Sequence, residues 1–390
     1  MSVLKVFVPW GLTTPERRRK AVPFVVVVIL SLLYPLFDQA VGLNYIDPMV
    51  SILILVLLAL GLNIVVGFAG LLDLGYAAFF AIGAYTAAFL TSPASPLPYG
   101  TNFWVAMLLS FFVAMLFGVI LGVPVLRLHG DYLAIVTLGF GEIVPRIFLN
   151  LEDITGGSKG INPIGKPSIF GYTLEPSNPV GWYYLIICVG ILSIFLINRM
   201  VDSRLGRAWM AMREDEVAAA SAGINLMRTK LLAFAMGASF AGFAGSIFAS
   251  RFQFIDPFRF DFTISVMVLA MVILGGIGNI YGVIFGGIIM ASYDRFFAER
   301  LTGWFHTVGT ATGIDLLTRI DLQNSRLFIF GAALILTMLL RPEGLFPSRR
   351  RAAELHVGEE EPEAFAGGQP VLQEQQTLYD VEAERTGERP

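Results

Sequence analysis

The chain has 390 residues; 55 % of them are hydrophobic and only 15 % are Asp, Glu, Lys or Arg. Soluble domains usually carry about 25 % charged residues, so this composition excludes a soluble enzyme. The net charge of −3 gives no indication of a nucleic-acid partner. Asp73 is the one charged residue between Met49 and Leu126, and residues 262–293 contain none. Because a transmembrane helix needs about 20 apolar residues, the sequence predicts an all-α, polytopic membrane protein.

Ten apolar runs are candidate transmembrane helices: residues 21–37, 49–70, 74–91, 103–125, 132–149, 182–198, 230–250, 262–276, 281–293 and 327–340. One straight helix over residues 262–293 would measure about 48 Å, against a hydrocarbon core of about 30 Å. The glycine-rich residues 275–279 are therefore expected to break it into two short helices. If the run were instead one tilted span, the C-terminal tail would change sides, so nine to eleven spans stay open.

The distribution of basic residues predicts the orientation and the domain limits. The segments assigned to the cytoplasm hold 16 Lys or Arg and the external ones eight, which places the N-terminus inside. Residues 1–20 form a basic cytoplasmic N-terminus, and no small-residue cleavage site follows the apolar run after it, so that run is expected to be an uncleaved first span. Residues 21–346 form the transmembrane domain, and residues 347–390 an acidic, disordered cytoplasmic tail.

Small residues recur every four positions in two of the candidate spans. Gly237, Ala241 and Gly245 show this spacing in one span, and Gly282 and Gly286 show it in another. Such spacing lets helix backbones approach closely in lipid, and it predicts helix packing. A pore lining is the alternative.

Three charged residues inside or near the membrane need a partner or a function, since isolated charge there is costly. Glu142 and Arg146 are four residues apart and share one helix face. They would either line the translocation route as a gate or form an internal ion pair that fixes helix packing. Asp73 is expected at the cytoplasmic turn before the third span, which it would cap.

The hydrophilic segment 199–230 separates two candidate spans. Helix-favouring small residues fill positions 217–222, and Gly223 can close a helix. A short helix with small residues on one face suits docking into a groove of a partner protein. A solvated loop between spans is the alternative.

This segment resembles the cytoplasmic EAA loop of ABC importer permeases, whose short coupling helix inserts into a cleft of the ATPase subunit. Val217 and the two alanines after it stand in the usual place, six residues before the glycine, and the acidic residue comes one position early. That departure is similar to the subfamily that moves branched-chain amino acids. The resemblance assigns coupling to the ATPase to six residues: Arg213, Glu214, Glu216, Ala218, Ala219 and Gly223.

Further segments resemble the same permeases: Gly61–Tyr85, Leu274–Gly282 and Arg341–Phe346. Two more, Thr137–Val144 and Thr155–Ile161, are similar to the longer of the two permease subunits, the M type. Together they cover about residues 49–346. The resemblance implies about ten transmembrane helices with a cytoplasmic coupling helix. Because of the cost of charge in the membrane, Glu142, Arg146 and Asp73 are the candidates for the pathway or a gate.

The resemblance also implies the function and the partners. The chain would be a permease of an ABC importer for branched-chain or related neutral amino acids in the bacterial cytoplasmic (inner) membrane. A second, H-type permease subunit, two ATP-binding subunits and an external solute-binding protein would complete the importer. The external loop 150–181, with Lys159 and Lys166, is the candidate docking place for the binding protein.

No nucleotide-binding loop, zinc signature or nucleophile elbow is recognisable, so we expect no catalytic residue, no cofactor and no metal site in this chain. Two alternatives stay open. The first is a permease of a urea or short-amide ABC importer. The second is an ion-coupled secondary transporter in which Glu142 and Asp73 titrate.

Overall fold

The computed structural model describes residues 31–42, 45–95, 100–125, 130–169, 171–312, 321–322, 325–341 and 344–346. All of them belong to one structural unit, Met1–Pro347. The predicted N-terminal segment 1–20, the predicted tail 347–390 and the first part of the predicted span 21–37 lie outside the described residues.

Helices make up most of the described chain, which confirms the all-α fold class. In chain order they are α1 (31–41), α2 (Ile46–Leu62), α3 (Tyr76–Thr91), α4 (Phe103–Val125), α5 (Asp131–Asn150), α6 (Glu152–Thr155), α7 (Pro179–Val201), α8 (Arg204–Glu214), α9 (Glu216–Ser221), α10 (Leu226–Phe252), α11 (Phe262–Gly275), α12 (Ile280–Ser292), α13 (Ala298–Thr312) and α14 (Arg326–Leu340). Two π-helical turns, Asn63–Phe68 and Tyr293–Phe297, extend α2 and α12. A hairpin pairs β1 (Ser168–Ile169) with β2 (Tyr172–Thr173).

Seven helical segments of the described chain are long and apolar enough to cross a membrane: Ile46–Phe68, Phe103–Pro124, Tyr132–Asn150, Pro179–Val201, Leu226–Phe252, Pro257–Gly275 and Ile280–Ala311. Helices α3 and α14 are apolar but shorter. Every predicted span after the first therefore coincides with an apolar helix. The number of long spans is seven in the described residues, rather than ten.

Helix α10 packs against α2, α3 and α4, and glycines make these contacts close. A Cβ atom at Gly237 would press on the side chain of Val65, and one at Gly245 would overlap the carbonyl oxygen of Phe80. Ala241, between them, is fully buried. The predicted packing role of these small residues is confirmed.

The predicted break in residues 262–293 is also confirmed. Helix α11 ends at Gly275, and α12 begins at Ile280 after a turn with two positive-φ glycines. A Cβ atom added at Gly282 would overlap the carbonyl oxygen of Gly275, and one added at Gly286 would overlap the carbonyl oxygen of Met271. The two short helices therefore form a tightly packed pair.

The predicted span 281–293 ends too early. The helix continues from α12 through the π-helical turn Tyr293–Phe297 into α13. Asp294, the first charged residue after that span, has a side chain only 7 % exposed, and its carboxylate lies 3.4 Å from the Arg326 guanidinium. Because its charge is paired, the helix tolerates it.

Helix α3 begins inside the helix bundle. The amide of Leu74 donates to the hydroxyl of Thr137 in α5, and the amide of Ala77 donates to the hydroxyl of Ser265 in α11. The Tyr76 hydroxyl donates a 2.7 Å hydrogen bond to Gly237 in the middle of α10. Residues 69–75 thus run back into the bundle from the end of α2.

Candidate coupling site

The hydrophilic segment between α7 and α10 folds into two short helices, α8 and α9. The hydroxyl oxygen of Ser203 accepts hydrogen bonds from the amides of Leu205 and Gly206, as an N-cap serine does. Trp209 is fully buried, and its Nε1 donates a 2.9 Å hydrogen bond to the carbonyl oxygen of Thr229. Helix α8 is thereby fixed to the start of α10.

A second capping residue separates α8 from α9. The Asp215 carboxylate accepts hydrogen bonds from the amides of Val217 (2.7 Å) and Ala218 (3.0 Å). An aspartate at this position satisfies amides that a helix of two turns cannot satisfy itself. The change of direction between α8 and α9 is therefore set by one side chain.

Gly223 ends α9, as predicted. Its φ is +84°, a left-handed conformation that favours glycine. Its amide donates to the carbonyl of Ala220, and the amide of Ile224 donates to the carbonyl of Ala219. These two bonds form a Schellman motif. The short helix is confirmed, with defined ends on both sides.

Helix α9 and the residues that follow it present small exposed side chains: Val217, Ala218, Ala220, Ser221 and Ala222. Val217 is 76 % exposed. Ala219 instead is buried at 4 % exposure and packs against its own chain. Of the six residues predicted to couple, Glu214, Ala218 and Gly223 are exposed, whereas Ala219 faces inward.

Glu216, the first residue of α9, forms an ion pair with α10. Its Oε1 lies 2.6 Å from Nζ of Lys230, whose side chain is 5 % exposed. Sequence reasoning missed Lys230, although a lysine at the start of an apolar run is itself a signal that an anion lies nearby. The pair holds the start of α9 against the membrane helix.

Arg213, in the last turn of α8, points into the bundle. Its Nη1 donates a 2.6 Å hydrogen bond to the carbonyl oxygen of Gly67, in the π-helical turn after α2. Its Cγ and Cβ cover Gly70, where an added Cβ would press on them. The arginine therefore contacts the membrane helices.

The turn between α11 and α12 also contacts the π-helical turn after α2. The amide of Gly278 donates a 3.0 Å hydrogen bond to Oδ1 of Asn63. A Cβ at Gly278 would lie 3.2 Å from Arg213 Nη1 and 3.1 Å from the Gly67 carbonyl oxygen. Sequence reasoning missed Asn63, whose side chain joins the family segment Gly61–Tyr85 to the family segment Leu274–Gly282.

The C-terminal family segment packs on this turn. The amide of Leu345 donates to the carbonyl of Leu274, and the amide of Phe346 donates to that of Gly275. The Asn279 side-chain amide donates a 2.8 Å hydrogen bond back to Phe346. Segments that resembled the family separately in the sequence thus meet at the end of the bundle that carries α8 and α9.

Glu142 and Arg146 form the predicted pair on one face of α5, with Oε2 and Nη2 3.7 Å apart. Their side chains are 45 % and 76 % exposed. The pair is therefore exposed on the surface of this chain rather than internal to it. Helix α5 continues through Pro145 to Asn150, so the proline does not end it.

Asp73 is fully buried in the segment that leads to α3. Its Oδ1 accepts a 2.9 Å hydrogen bond from the amide of Gly75, and its Oδ2 has no hydrogen-bond partner in the described residues. The prediction that Asp73 caps α3 is wrong, because Gly75 is the N-cap residue and no side chain of a capping residue bonds the first amides. Ser265 takes this role for Ala77, and sequence reasoning missed it among apolar neighbours.

The loop after α5 lies across the opposite end of the bundle. Ile161 and Ile255 exchange two backbone hydrogen bonds, and the amide of Gly165 donates to the hydroxyl of Thr91. Lys159 is exposed, whereas Lys166 pairs with Glu175 within the loop. This loop is therefore tied to α3 and to the end of α10.

The fold and the site together define a class: a multi-pass helical membrane protein that presents a short, doubly capped helix at one end of its bundle. A family model described as the permease component of branched-chain amino acid transport systems matches residues 44–338. The chain belongs to this family.

Relatives with assigned names agree with the family. The chain is 39 % identical to LivM of Escherichia coli, a permease protein of the high-affinity branched-chain amino acid transport system, over 86 % of this chain and 76 % of the relative. It is 40 % identical to LivM of Salmonella typhimurium over 80 % and 72 %. It is 26 % identical to LivH of Escherichia coli, a permease protein of that system, over 63 % and 82 %. No solved structure matches the chain.

Proposed function

We propose that this chain is the M-type permease subunit of an ABC importer that takes up branched-chain or related neutral amino acids. The identity to LivM over most of both chains supports this assignment. ATP hydrolysis would take place on two separate ATP-binding subunits. The distribution of Lys and Arg supports an orientation with α8 and α9 in the cytoplasm. The inner membrane of a bacterial cell is the proposed location, because the LivM relatives are bacterial permeases.

The observation that carries the proposal is the exposed face of α9. It combines exposed alanines with Val217, an apolar residue that is 76 % exposed. Apolar surface of this kind on a capped helix suits insertion into a groove of a partner. The ATP-binding subunit is the proposed partner, and Glu214, Ala218 and Gly223 are the proposed contacts, since all three are exposed.

The second, H-type permease would cover the exposed face of α5. Glu142 lies about 16 Å along a helix of about 30 Å, so it lies too far from either end for its short side chain to reach the headgroups. An ion pair facing hydrocarbon is costly. Facing a pathway shared with the second permease, Glu142 and Arg146 would meet protein and water instead. The relatedness of the chain to LivH supports such a pair of similar subunits.

An external solute-binding protein would deliver the amino acid at the other end of the bundle. The loop 150–181 is the proposed docking surface. Its hydrogen bonds to α3 and α10 would transmit a displacement caused by docking to those helices. Lys159 is the better contact of the two lysines, since Lys166 already pairs with Glu175.

The test is copurification of the ATP-binding subunit with two variants of the full complex. Ala218→Asp places a charge on the exposed face of α9 and is expected to abolish copurification while the chain still inserts into the membrane. Ala311→Asp, an exposed alanine in α13 at the other end of the bundle, is the matched control and is expected to behave as wild type. Normal copurification and uptake with Ala218→Asp would contradict the coupling assignment.

A further inference from the structure

We propose that Arg213 is a positioning residue that transmits displacement of α9 to two breaks in the membrane helices, the π-helical turn Asn63–Phe68 and the turn 276–279. This inference rests on the proposed function, because it names how a docked ATP-binding subunit would act on the transmembrane part. The resemblance assigned Arg213 to the docking surface, whereas its described contacts with Gly67 and Gly70 lie on the inner side.

The first step is that α8 and α9 move as one body. Asp215 caps α9 directly after α8 ends, so only one residue separates the two helices. A push on the exposed face of α9 therefore reaches Arg213, two residues before that cap. Trp209 and the Glu216–Lys230 pair attach these two helices to the start of α10.

The second step is that Arg213 contacts the π-helical turn at the end of α2. Its guanidinium donates to Gly67 at 2.6 Å, inside a π-helical turn, a geometry that is rare and often found at functional sites. Gly70, under the aliphatic part of Arg213, has a φ of +71°. Helix α2 thus ends in a π-helical turn and a left-handed glycine, both within the described contacts of Arg213.

The third step is that the same contact includes the α11–α12 turn. Gly276 and Gly278 have φ values of +118° and +79°, so this turn is held by glycine conformations that few other residues adopt. Asn63 bonds Gly278 directly at 3.0 Å. A displacement of Gly67 by Arg213 would therefore move both breaks together, through the π-helical turn that contains Asn63 and Gly67.

The fourth step is a comparison within α8 that separates this role from local helix stability. Arg207 lies on the same helix, is exposed, and bonds only the nearby Asp202 carbonyl at 3.0 Å among the hydrogen bonds described for it. It offers the charge and length of Arg213 without the contact to α2. The two arginines form a matched pair for experiment.

The experiment uses the complete importer in proteoliposomes with its ATP-binding subunits, second permease and solute-binding protein. Arg213→Met keeps the aliphatic cover over Gly70 and removes the donor to Gly67. We expect unchanged copurification of the ATP-binding subunit, and leucine taken up per ATP hydrolysed lowered at least about fivefold, the low end of ordinary coupling between two sites. Arg207→Met is expected to keep the wild-type ratio, and Arg213→Lys to recover part of it.

Each outcome is distinct. A wild-type ratio in Arg213→Met overturns the inference. Lost copurification in Arg213→Met with an intact ratio in the remaining complex also overturns it, because Arg213 would then be a docking contact, while the proposed function stands. Absence of ATP-binding subunits from the wild-type complex would overturn the proposed function itself. If Arg213→Met does not assemble, Arg213→Lys decides: a lowered ratio supports the inference and a wild-type ratio overturns it.

Discussion

Glu216 and Lys230 join α9 to the start of α10 through an ion pair with 2.6 Å between Oε1 and Nζ. The lysine side chain is buried, and removal of one partner from a buried pair costs about 3–5 kcal/mol. Since the Glu216 side chain is 36 % exposed, the low end of that range applies. We predict that Glu216→Gln lowers the thermal midpoint of the purified complex and the rate of leucine uptake.

The double variant Glu216→Gln with Lys230→Met is the control for this prediction. It removes the buried charge together with its partner, so its thermal midpoint is expected to lie above that of Glu216→Gln. A double variant less stable than both single variants would show that the pair does not act as a unit.

Substitutions at Gly223 can distinguish the effect of the end of α9 from the effect of side-chain bulk on its surface. Apart from its chain neighbours, no atom of the described residues lies within 4 Å of a Cβ added there, so the cost of a side chain is one of backbone conformation. That cost is about 1–2 kcal/mol for most residues and lower for asparagine. We predict that Gly223→Val reduces copurification of the ATP-binding subunit more than Gly223→Asn, a residue of similar size. Equal loss in both would indicate that bulk at the docking surface matters more than the end of the helix.

Glu142 and Arg146 are predicted to affect transport and not stability. An exposed pair four residues apart contributes only about 0.2–0.5 kcal/mol to a helix. We expect Glu142→Leu to leave the thermal midpoint of the isolated chain unchanged and to lower leucine uptake by the complete importer. The exchange of both residues, Glu142→Arg with Arg146→Glu, keeps the pair and should restore part of the uptake. A lower midpoint with normal uptake would assign the pair to packing.

Asp73 separates ATP-driven import from the ion-coupled alternative. Asp73→Asn keeps an oxygen for the 2.9 Å hydrogen bond from Gly75 and removes the titratable group. Because energy would come from the ATP-binding subunits, we predict uptake close to wild type. Asp73→Ala loses the bond, and we expect it to lower stability by about 1 kcal/mol. Loss of uptake in Asp73→Asn with a stable protein would support ion coupling instead.

Local pattern was sufficient for α9, and for the break between α11 and α12. Helix-favouring residues before Gly223 and the glycine cluster at 275–279 specify backbone conformation within a few residues of themselves. Such conformations depend little on the rest of the fold. The same holds for the placement of Glu142 and Arg146 on one face of a helix.

Long-range packing explains what the sequence did not predict. The Arg213 contact to Gly67 joins residues 146 positions apart, and spacing within the coupling segment contains no information about it. Exposure of Glu142 depends on which side of α5 other helices cover. Ser265 could be flagged as a polar residue in an apolar run, but its bond to Ala77 required knowing that α3 begins inside the bundle.

The most direct test of the account is uptake of radiolabelled leucine into cells that produce this chain with or without its proposed partners: the second permease, the ATP-binding subunits and the solute-binding protein. The account predicts uptake only when all partners are present, and loss of that uptake when Ala218→Asp replaces the wild-type chain. Uptake by this chain alone that disappears when the proton gradient is dissipated would contradict it.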